Sequence, residues 1–164
     1  MENTEKIYRQ ITLTVNGFAQ TFLVTTDEIL TDTLRDKGGY TSVKRGCDGG
    51  ECGCCTVIMN KKAVSSCMVL SVQADGANIT TLEGLEKDNQ LDPVQQAFLD
   101  HAAVQCGFCT PGMIMTAKAL LDENPNPTEE EIVEAMENNY CRCTGFISVK
   151  EAIKSLAGNY EPRA

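Results

Sequence analysis

The sequence predicts an α+β protein in which a mixed N-terminal part precedes an all-helical C-terminal part. Apolar residues recur with the two-residue period of strands as far as about residue 82, and at helical spacing from about residue 84 onwards. The chain of 164 residues also contains nine cysteines but no tryptophan, so large core residues are scarce. Bound metal would compensate, because the free energy of ligation is also free energy of folding. We therefore expect two metal-stabilised domains, over residues 1–83 and 84–164.

The N-terminal part begins with a predicted β-hairpin. Apolar residues alternate with threonines over residues 11–15, and a second apolar series follows over residues 18–24. Between them Asn16-Gly17 is a dipeptide that favours a type I′ turn. The apolar residues that come next predict a short helix, capped at Asp27 and stopped at Gly38-Gly39.

A glycine-rich and cysteine-rich loop over Gly46–Cys55 leads into three shorter strands. Thr56–Met59 predicts the first of them, and Lys61-Lys62 is expected to turn the chain back. The second strand is predicted over Val64–Cys67 and the third over Ile79–Leu82.

Four helices are predicted after the join at about residues 82–91. Asp92-Pro93 and Thr110-Pro111 each resemble an N-cap followed by proline at the first helical position, and the second of these helices ends before Asn124-Pro125. Capping boxes over Thr128–Glu131 and Ser148–Glu151 predict the starts of the last two helices.

Composition excludes two function classes. There are 14 Lys and Arg residues against 23 Asp and Glu residues, so the formal net charge is −9 and nucleic acid is not an expected partner. No apolar run approaches the length that a bilayer span needs. The first residues do not resemble a secretory signal, so we expect a cytoplasmic protein whose cysteines are metal ligands or redox thiols.

The first cysteine group has the spacing of a plant-type [2Fe–2S] site. Cys47, Cys52 and Cys55 follow the C-x4-C-x2-C pattern, and Cys67 lies further along the chain. The glycines of this loop allow the backbone to approach the cluster closely, with N–H groups aimed at sulfur. Cys54 is left over, and we expect it to be a small buried residue.

A second group consists of two cysteine pairs near predicted helix ends. Cys106 and Cys109 precede one helix, and Cys141 and Cys143 precede another, so the four thiolates could hold a second [2Fe–2S] cluster. Structural zinc, a thioredoxin-type dithiol at 106–109 and disulfides are the alternatives. His101, the single histidine, is interpreted as a helix-surface residue.

Three motifs together resemble the small iron–sulfur subunit of the molybdenum hydroxylases, the xanthine dehydrogenase and aldehyde oxidoreductase family. They are Gly46–Val57 (GCDGGECGCCTV), Gln105–Gly112 (QCGFCTPG) and Cys141–Gly145 (CRCTG), and the resemblance covers nearly the whole chain. It implies an N-terminal β-grasp, plant-type ferredoxin domain followed by an all-α four-helix domain, each with one [2Fe–2S] cluster. The chain departs from the usual family pattern at Cys54, Phe146 and Gly39-Tyr40, none of which is a predicted ligand.

The resemblance also implies which residues face which cofactor. The proximal cluster, nearer the molybdopterin of a separate large subunit, would be held by Cys106, Cys109, Cys141 and Cys143. The distal cluster, nearer the FAD of a medium subunit, would be held by Cys47, Cys52, Cys55 and Cys67. Gln105 and the Cys143 region would contact the pterin. Lys44, Arg45 and Arg142 would offset the negative charge of the clusters.

The expected function is therefore electron relay. The chain would be the non-catalytic subunit that passes electrons from molybdenum through two [2Fe–2S] clusters to FAD or another acceptor. Hydroxylation of N-heterocycles such as purines or nicotinate is the leading expectation for the whole enzyme. Aldehyde, carbon monoxide and 4-hydroxybenzoyl-CoA enzymes are the alternatives, as is a free-standing ferredoxin-like carrier.

Overall fold

The computed structural model describes residues 6–162, which form a five-stranded sheet followed by a group of helices. The predicted domains begin at residue 1 and end at residue 164, and residues 1–5 and 163–164 lie outside the described residues. The expectation about a secretory signal also depends on residues 1–5. The order of elements agrees with the prediction: strands dominate as far as residue 80, and helices dominate from residue 93.

The sheet is mixed and has the strand order β2-β1-β5-β3-β4. Its strands are β1 (Tyr8–Val15), β2 (Phe18–Thr25), β3 (Thr56–Met59), β4 (Lys62–Ser65) and β5 (Asn78–Thr80). Strands β1 and β5 pair in parallel, whereas β1–β2, β3–β4 and β3–β5 are antiparallel. This mixed sheet, followed by helices, agrees with the α+β class that the sequence predicts.

The two sharp turns of the sheet depend on left-handed backbone. Asn16 and Gly17 have φ of 52° and 85°, as the predicted type I′ turn between β1 and β2 requires. The next turn was predicted at Lys61-Lys62, which is wrong by one residue. Asn60 and Lys61 have φ of 49° and 71°, while Lys62 already begins β4. Asparagine tolerates this conformation better than most residues, which favours the observed register.

One helix covers the inner face of the sheet. Helix α1 (Leu30–Asp32) continues as a wider π-helical turn over Thr33–Lys37 and ends at Gly38. The predicted cap at Asp27 is wrong, because Ile29 is the N-cap and no side chain caps the helix. Its start is held instead by backbone pairing, since the Leu30 N–H donates to the Val69 carbonyl over 2.8 Å.

The C-terminal part contains the four predicted helices. They are α2 (Pro93–Asp100), α3 (Thr110–Glu123), α4 (Glu129–Met136) and α5 (Ile147–Lys154). The predicted capping box at α4 is present, but the one predicted at Ser148 is wrong. Ser148 lies inside α5, whose N-cap is Phe146 in the left-handed region with φ of 65°. Within residues 6–162, no helix has the length and apolarity that crossing a membrane would need.

Two hydrophobic cores lie on opposite faces of strand β3. Val57 joins the N-terminal core with α1, β1 and β2, whereas Ile58 joins the helical core. Successive side chains of a strand point to opposite faces, so a strand buried on both faces needs a layer on each side. Helix α3 provides the outer layer, and this packing brings the start of α3 against the loop that precedes β3.

The N-cap of α2 supplies a test of local stability. Asp92 is buried, its side chain accepts a hydrogen bond from the Val94 N–H over 2.9 Å, and its own N–H donates to Gln95. We expect Asp92→Ala to lower the free energy of unfolding by about 1 kcal/mol, because the first turn loses its side-chain acceptor. Denaturant unfolding of the cluster-loaded chain measures this, and an unchanged midpoint would contradict it.

Candidate metal centre

The loop before β3 brings the first cysteine group together by close backbone approach. A side chain at Gly46 would place its Cβ 2.8 Å from Cys52 Sγ, and a side chain at Gly50 would meet Met68 Cγ at 2.8 Å. Gly50 also has φ of +79°. Glycine is the residue that meets both demands without strain. These two glycines therefore shape the loop around the cysteine sulfurs.

The sulfurs of the first group approach one another in pairs. Cys47 contacts Cys52, which also contacts Cys54, and Cys55 contacts Cys67, which the loop and the turn after β4 bring together. The Gly49 N–H points at Cys47 Sγ over 3.4 Å, and such backbone hydrogen bonds lower the pKa of the Cys47 thiol to about 7. Burial raises the pKa of the Cys67 thiol to about 12.

The second group is also paired, across two segments distant in sequence. Cys143 Sγ lies 3.7 Å from Cys106 Sγ, and Cys109 pairs with Cys141. Cys106 therefore approaches Cys143 rather than Cys109, which argues against a dithiol at 106–109. None of the nine cysteines forms a disulfide.

Thr144 is a functional residue that the sequence reasoning missed. Its hydroxyl donates to Cys141 Sγ over 3.1 Å, and its backbone N–H donates to the same sulfur over 3.4 Å. Although burial opposes ionisation, these hydrogen bonds outweigh it and lower the pKa of the Cys141 thiol. Hydrogen bonds to ligand sulfur are a means by which proteins adjust iron–sulfur potentials.

The paired geometry fits a two-iron cluster better than a single ion. Each iron of a [2Fe–2S] centre takes two protein ligands, so the four cysteine sulfurs of one site should form two close pairs. Structural zinc instead needs four ligands converging on one point.

The remaining sequence candidates occupy distinct positions. Cys54 is buried between the two groups, its thiol donates to the Cys52 carbonyl over 3.7 Å, and burial raises its pKa to about 12. It is thus a small buried thiol, as expected. His101 caps the end of α2 at the surface, with Nδ1 3.0 Å from the Ala97 carbonyl.

The two cysteine groups meet at a tight backbone contact. A Cβ at Gly112, in the first turn of α3, would lie 2.1 Å from the Gly53 carbonyl oxygen. Beside it, the Tyr140 N–H donates to the Cys52 carbonyl over 2.9 Å. Cys52 belongs to the first group, and Tyr140 precedes Cys141 of the second. The two predicted cluster sites are therefore joined through backbone.

Two family descriptions match the chain in the order of its two folds. Residues 13–91 match a 2Fe-2S iron-sulfur cluster binding domain, and residues 81–154 match a [2Fe-2S] binding domain. The nicotinate dehydrogenase small FeS subunit of Eubacterium barkeri is 53% identical, over 88% of this chain and 92% of its own length. The chain belongs to the small iron–sulfur subunits of the molybdenum hydroxylases. It accordingly carries two [2Fe–2S] clusters and relays electrons.

Two further similarities support this membership. The nicotine 6-hydroxylase small subunit of Paenarthrobacter nicotinovorans is 46% identical to this small subunit, over 91% of this chain and 90% of its own length. The crystal structure of quinoline 2-oxidoreductase from Pseudomonas putida 86 contains a chain with a TM-score of 0.87 and 42% identity. The alignment covers 90% of this chain and 91% of that chain.

One face of the small subunit leaves part of the second cysteine group open to solvent. Cys106 and Cys143 are exposed there, and so is the neighbouring Gln105. Large apolar side chains on the same two segments are also exposed, among them Phe108 at 48% and Tyr140 at 59%. These apolar side chains thus lie within two residues of Cys106, Cys109 and Cys141 in the sequence.

Thr144 supplies a test of the electrostatics of this small subunit. We expect Thr144→Val to lower the reduction potential of the helical-domain cluster, because the hydroxyl that stabilises negative charge on Cys141 sulfur is lost. Redox titration followed by electron paramagnetic resonance (EPR) measures each cluster separately. Thr144→Ser keeps the hydroxyl and is expected to titrate close to the parent; an equal shift in both variants would contradict this role.

Proposed function

We propose that this small subunit serves a molybdenum enzyme that hydroxylates an N-heterocyclic ring of the nicotinate type. The substrate class is carried by the similarity to relatives named for nicotinate, nicotine and quinoline. Each alignment covers about nine tenths of the relative's own chain. The substrate is expected to bind outside this chain, which contributes the electron path and no catalytic residue.

We also propose the ligands of each cluster. Cys47 and Cys52 would bind one iron of the distal cluster, and Cys55 and Cys67 the other. Cys106 with Cys143 and Cys109 with Cys141 would bind the two irons of the proximal cluster. The sulfur pairs of both groups support these assignments. The ferredoxin-type domain would span residues 1–83 and the helical domain residues 84–164, in keeping with the two cores.

The chain's own residues prepare each site for one-electron chemistry, which the clusters supply when bound. Thr144 donates to the Cys141 sulfur and so favours its thiolate form, and the Gly49 N–H does the same for Cys47. Burial around Cys55 and Cys67 excludes water from one side of the distal site. Tight packing of the backbone around both sites would keep the ligands nearly in place, and electron transfer needs little movement of them.

The partners follow from the two ends of this path. A large molybdopterin-binding subunit would cover the exposed face at Gln105 and Cys143, where the pterin would be contacted. A medium FAD-binding subunit would lie near the exposed Cys47. Exposure of these predicted ligands supports the arrangement, because a solvent-facing cluster would be shielded once its partner binds. A cytoplasmic location for the complex stays a prediction.

The test is to purify the native complex and identify its chains and its molybdenum. Nicotinate, a purine and an aldehyde are then added in separate anaerobic experiments while the iron–sulfur absorbance is followed. We expect molybdenum to co-purify and nicotinate-type rings to bleach the absorbance most rapidly. Bleaching only by the aldehyde would overturn the substrate class. A lone chain without a molybdenum partner would favour the free-standing carrier.

A further inference from the structure

The contact between the two cysteine groups contains a buried polar side chain, that of Asn139. The stability of the fold does not by itself explain why this residue lies there. Asn139 is 4% exposed, and its amide Nδ2 donates to the Gly53 carbonyl over 3.3 Å. Its Oδ1 is the one buried side-chain oxygen or nitrogen in residues 6–162 that has no hydrogen-bond partner. A buried polar atom without a partner destabilises the fold, because its hydrogen bond to water is lost and not replaced.

The Asn139 amide donates to the Gly53 carbonyl oxygen, which already accepts other hydrogen bonds. The Gly53 oxygen also accepts hydrogen bonds from the Thr56 hydroxyl over 2.7 Å and from the Thr56 N–H over 3.1 Å. The Asn139 bond is therefore not needed to satisfy Gly53. What it adds is a side-chain link between the ferredoxin-type loop and the segment that leads to Cys141.

The fit around this link is too close for a larger residue. A Cβ at Gly53, where φ is +65°, would lie 2.4 Å from Asn139 Nδ2 and 2.3 Å from the Asn138 carbonyl oxygen. The glycine at 53 thus lets residues 138 and 139 lie flat against the loop. This contact fixes the distance between Cys52 and Tyr140, the neighbours of Gly53 and Asn139.

The consequence is a short backbone route between the two sites. Starting from Cys52, the route crosses one hydrogen bond of 2.9 Å to the Tyr140 N–H and reaches Cys141 at the next residue. The Tyr140 side chain takes no part in it and is 59% exposed. We propose that Asn139 is a positioning residue for electron transfer between the clusters, keeping the Cys52–Tyr140 hydrogen bond in place.

This inference rests on the proposed ligand sets. With both clusters bound, the step would be the passage of one electron from the reduced proximal cluster to the oxidised distal cluster. No covalent bond forms or breaks, and no proton moves across the Cys52–Tyr140 hydrogen bond. Asn139 acts only by holding the route together.

The test compares Asn139→Leu with Asn138→Ala in the assembled complex. Leucine fills a similar volume but cannot donate to Gly53, whereas Asn138 is exposed and serves as the matched control. We expect Asn139→Leu to retain iron and sulfide, to lose hydrogen-exchange protection at the Tyr140 amide, and to weaken the EPR spin–spin splitting between the two reduced clusters. Transfer from the proximal to the distal cluster should slow, while Asn138→Ala should match the parent in every measurement.

Two results would overturn the inference. In the first, Asn139→Leu keeps both clusters and matches the parent in amide protection, splitting and transfer rate. In the second, Asn139→Leu and the smaller Asn139→Ala both lose a cluster, which would make the residue a support of cluster binding itself. Failure of the proposed function is distinguishable, because the parent complex would then fail to reduce its clusters with any ring substrate.

Discussion

Replacing Cys106 by Ser is expected to remove one cluster and leave the other, so that iron and acid-labile sulfide fall from about four to about two per chain. The reason is that Cys106 Sγ stands beside Cys143 Sγ and shares with it the proposed binding of one iron. Cys55→Ser should have the same effect on the other cluster. Metal analysis and the EPR signals of the two reduced clusters give the result directly.

The same pair of variants should destabilise different domains. Ligation free energy is also folding free energy, so Cys106→Ser should expose the helices to hydrogen exchange while strands β1–β5 stay protected. Cys55→Ser should reverse that pattern. Cys54→Ala is the matched control: it removes a buried cysteine that lies against Cys52, between the two groups, but is not a proposed ligand. Loss of iron from Cys54→Ala, or full iron content in both serine variants, would refute the ligand sets.

Gly112→Ala is expected to lower the free energy of unfolding by on the order of 3 kcal/mol, through overpacking at the contact between the domains. Helix propensity alone predicts the opposite sign, since alanine is about 1 kcal/mol better than glycine inside a helix. Packing prevails because the added Cβ would lie 2.1 Å from the Gly53 carbonyl oxygen, which is backbone and cannot rotate away.

A second glycine gives the control for this prediction. Gly49 has no positive φ, and the atom that a Cβ there would meet lies 3.8 Å away at the Cys47 carbonyl. Gly49→Ala should therefore change stability by only about 0.5 kcal/mol. Denaturant unfolding of the two cluster-loaded variants compares them. A stabilised Gly112→Ala variant would show that the two domains do not pack as described.

Local sequence was sufficient where a local rule decides the structure. The type I′ turn needs two residues with positive φ, and Asn16-Gly17 supplies them. Likewise Thr128 and Glu131 are close enough in sequence to cap α4 by themselves. The prediction failed at Ser148 because Gly145 and Phe146, both in the left-handed region, begin α5 two residues earlier than the capping box implies.

The sequence by itself determined that a mixed N-terminal part precedes a helical one and that the first cysteine group has [2Fe–2S] spacing, because cysteine spacing and hydrophobic period are properties of short segments. The β-grasp fold and the second cluster were implied by the resemblance of three motifs to a known family. The sequence did not reveal the role of Thr144, although this residue lies in the third motif, nor that of Asn139, which lies outside all three motifs. Their roles come from contacts with Cys141 and Gly53. Only the tertiary structure decided which sulfurs pair and how the two sites are joined, since both depend on segments as far apart as residues 53 and 139 packing through side chains and backbone.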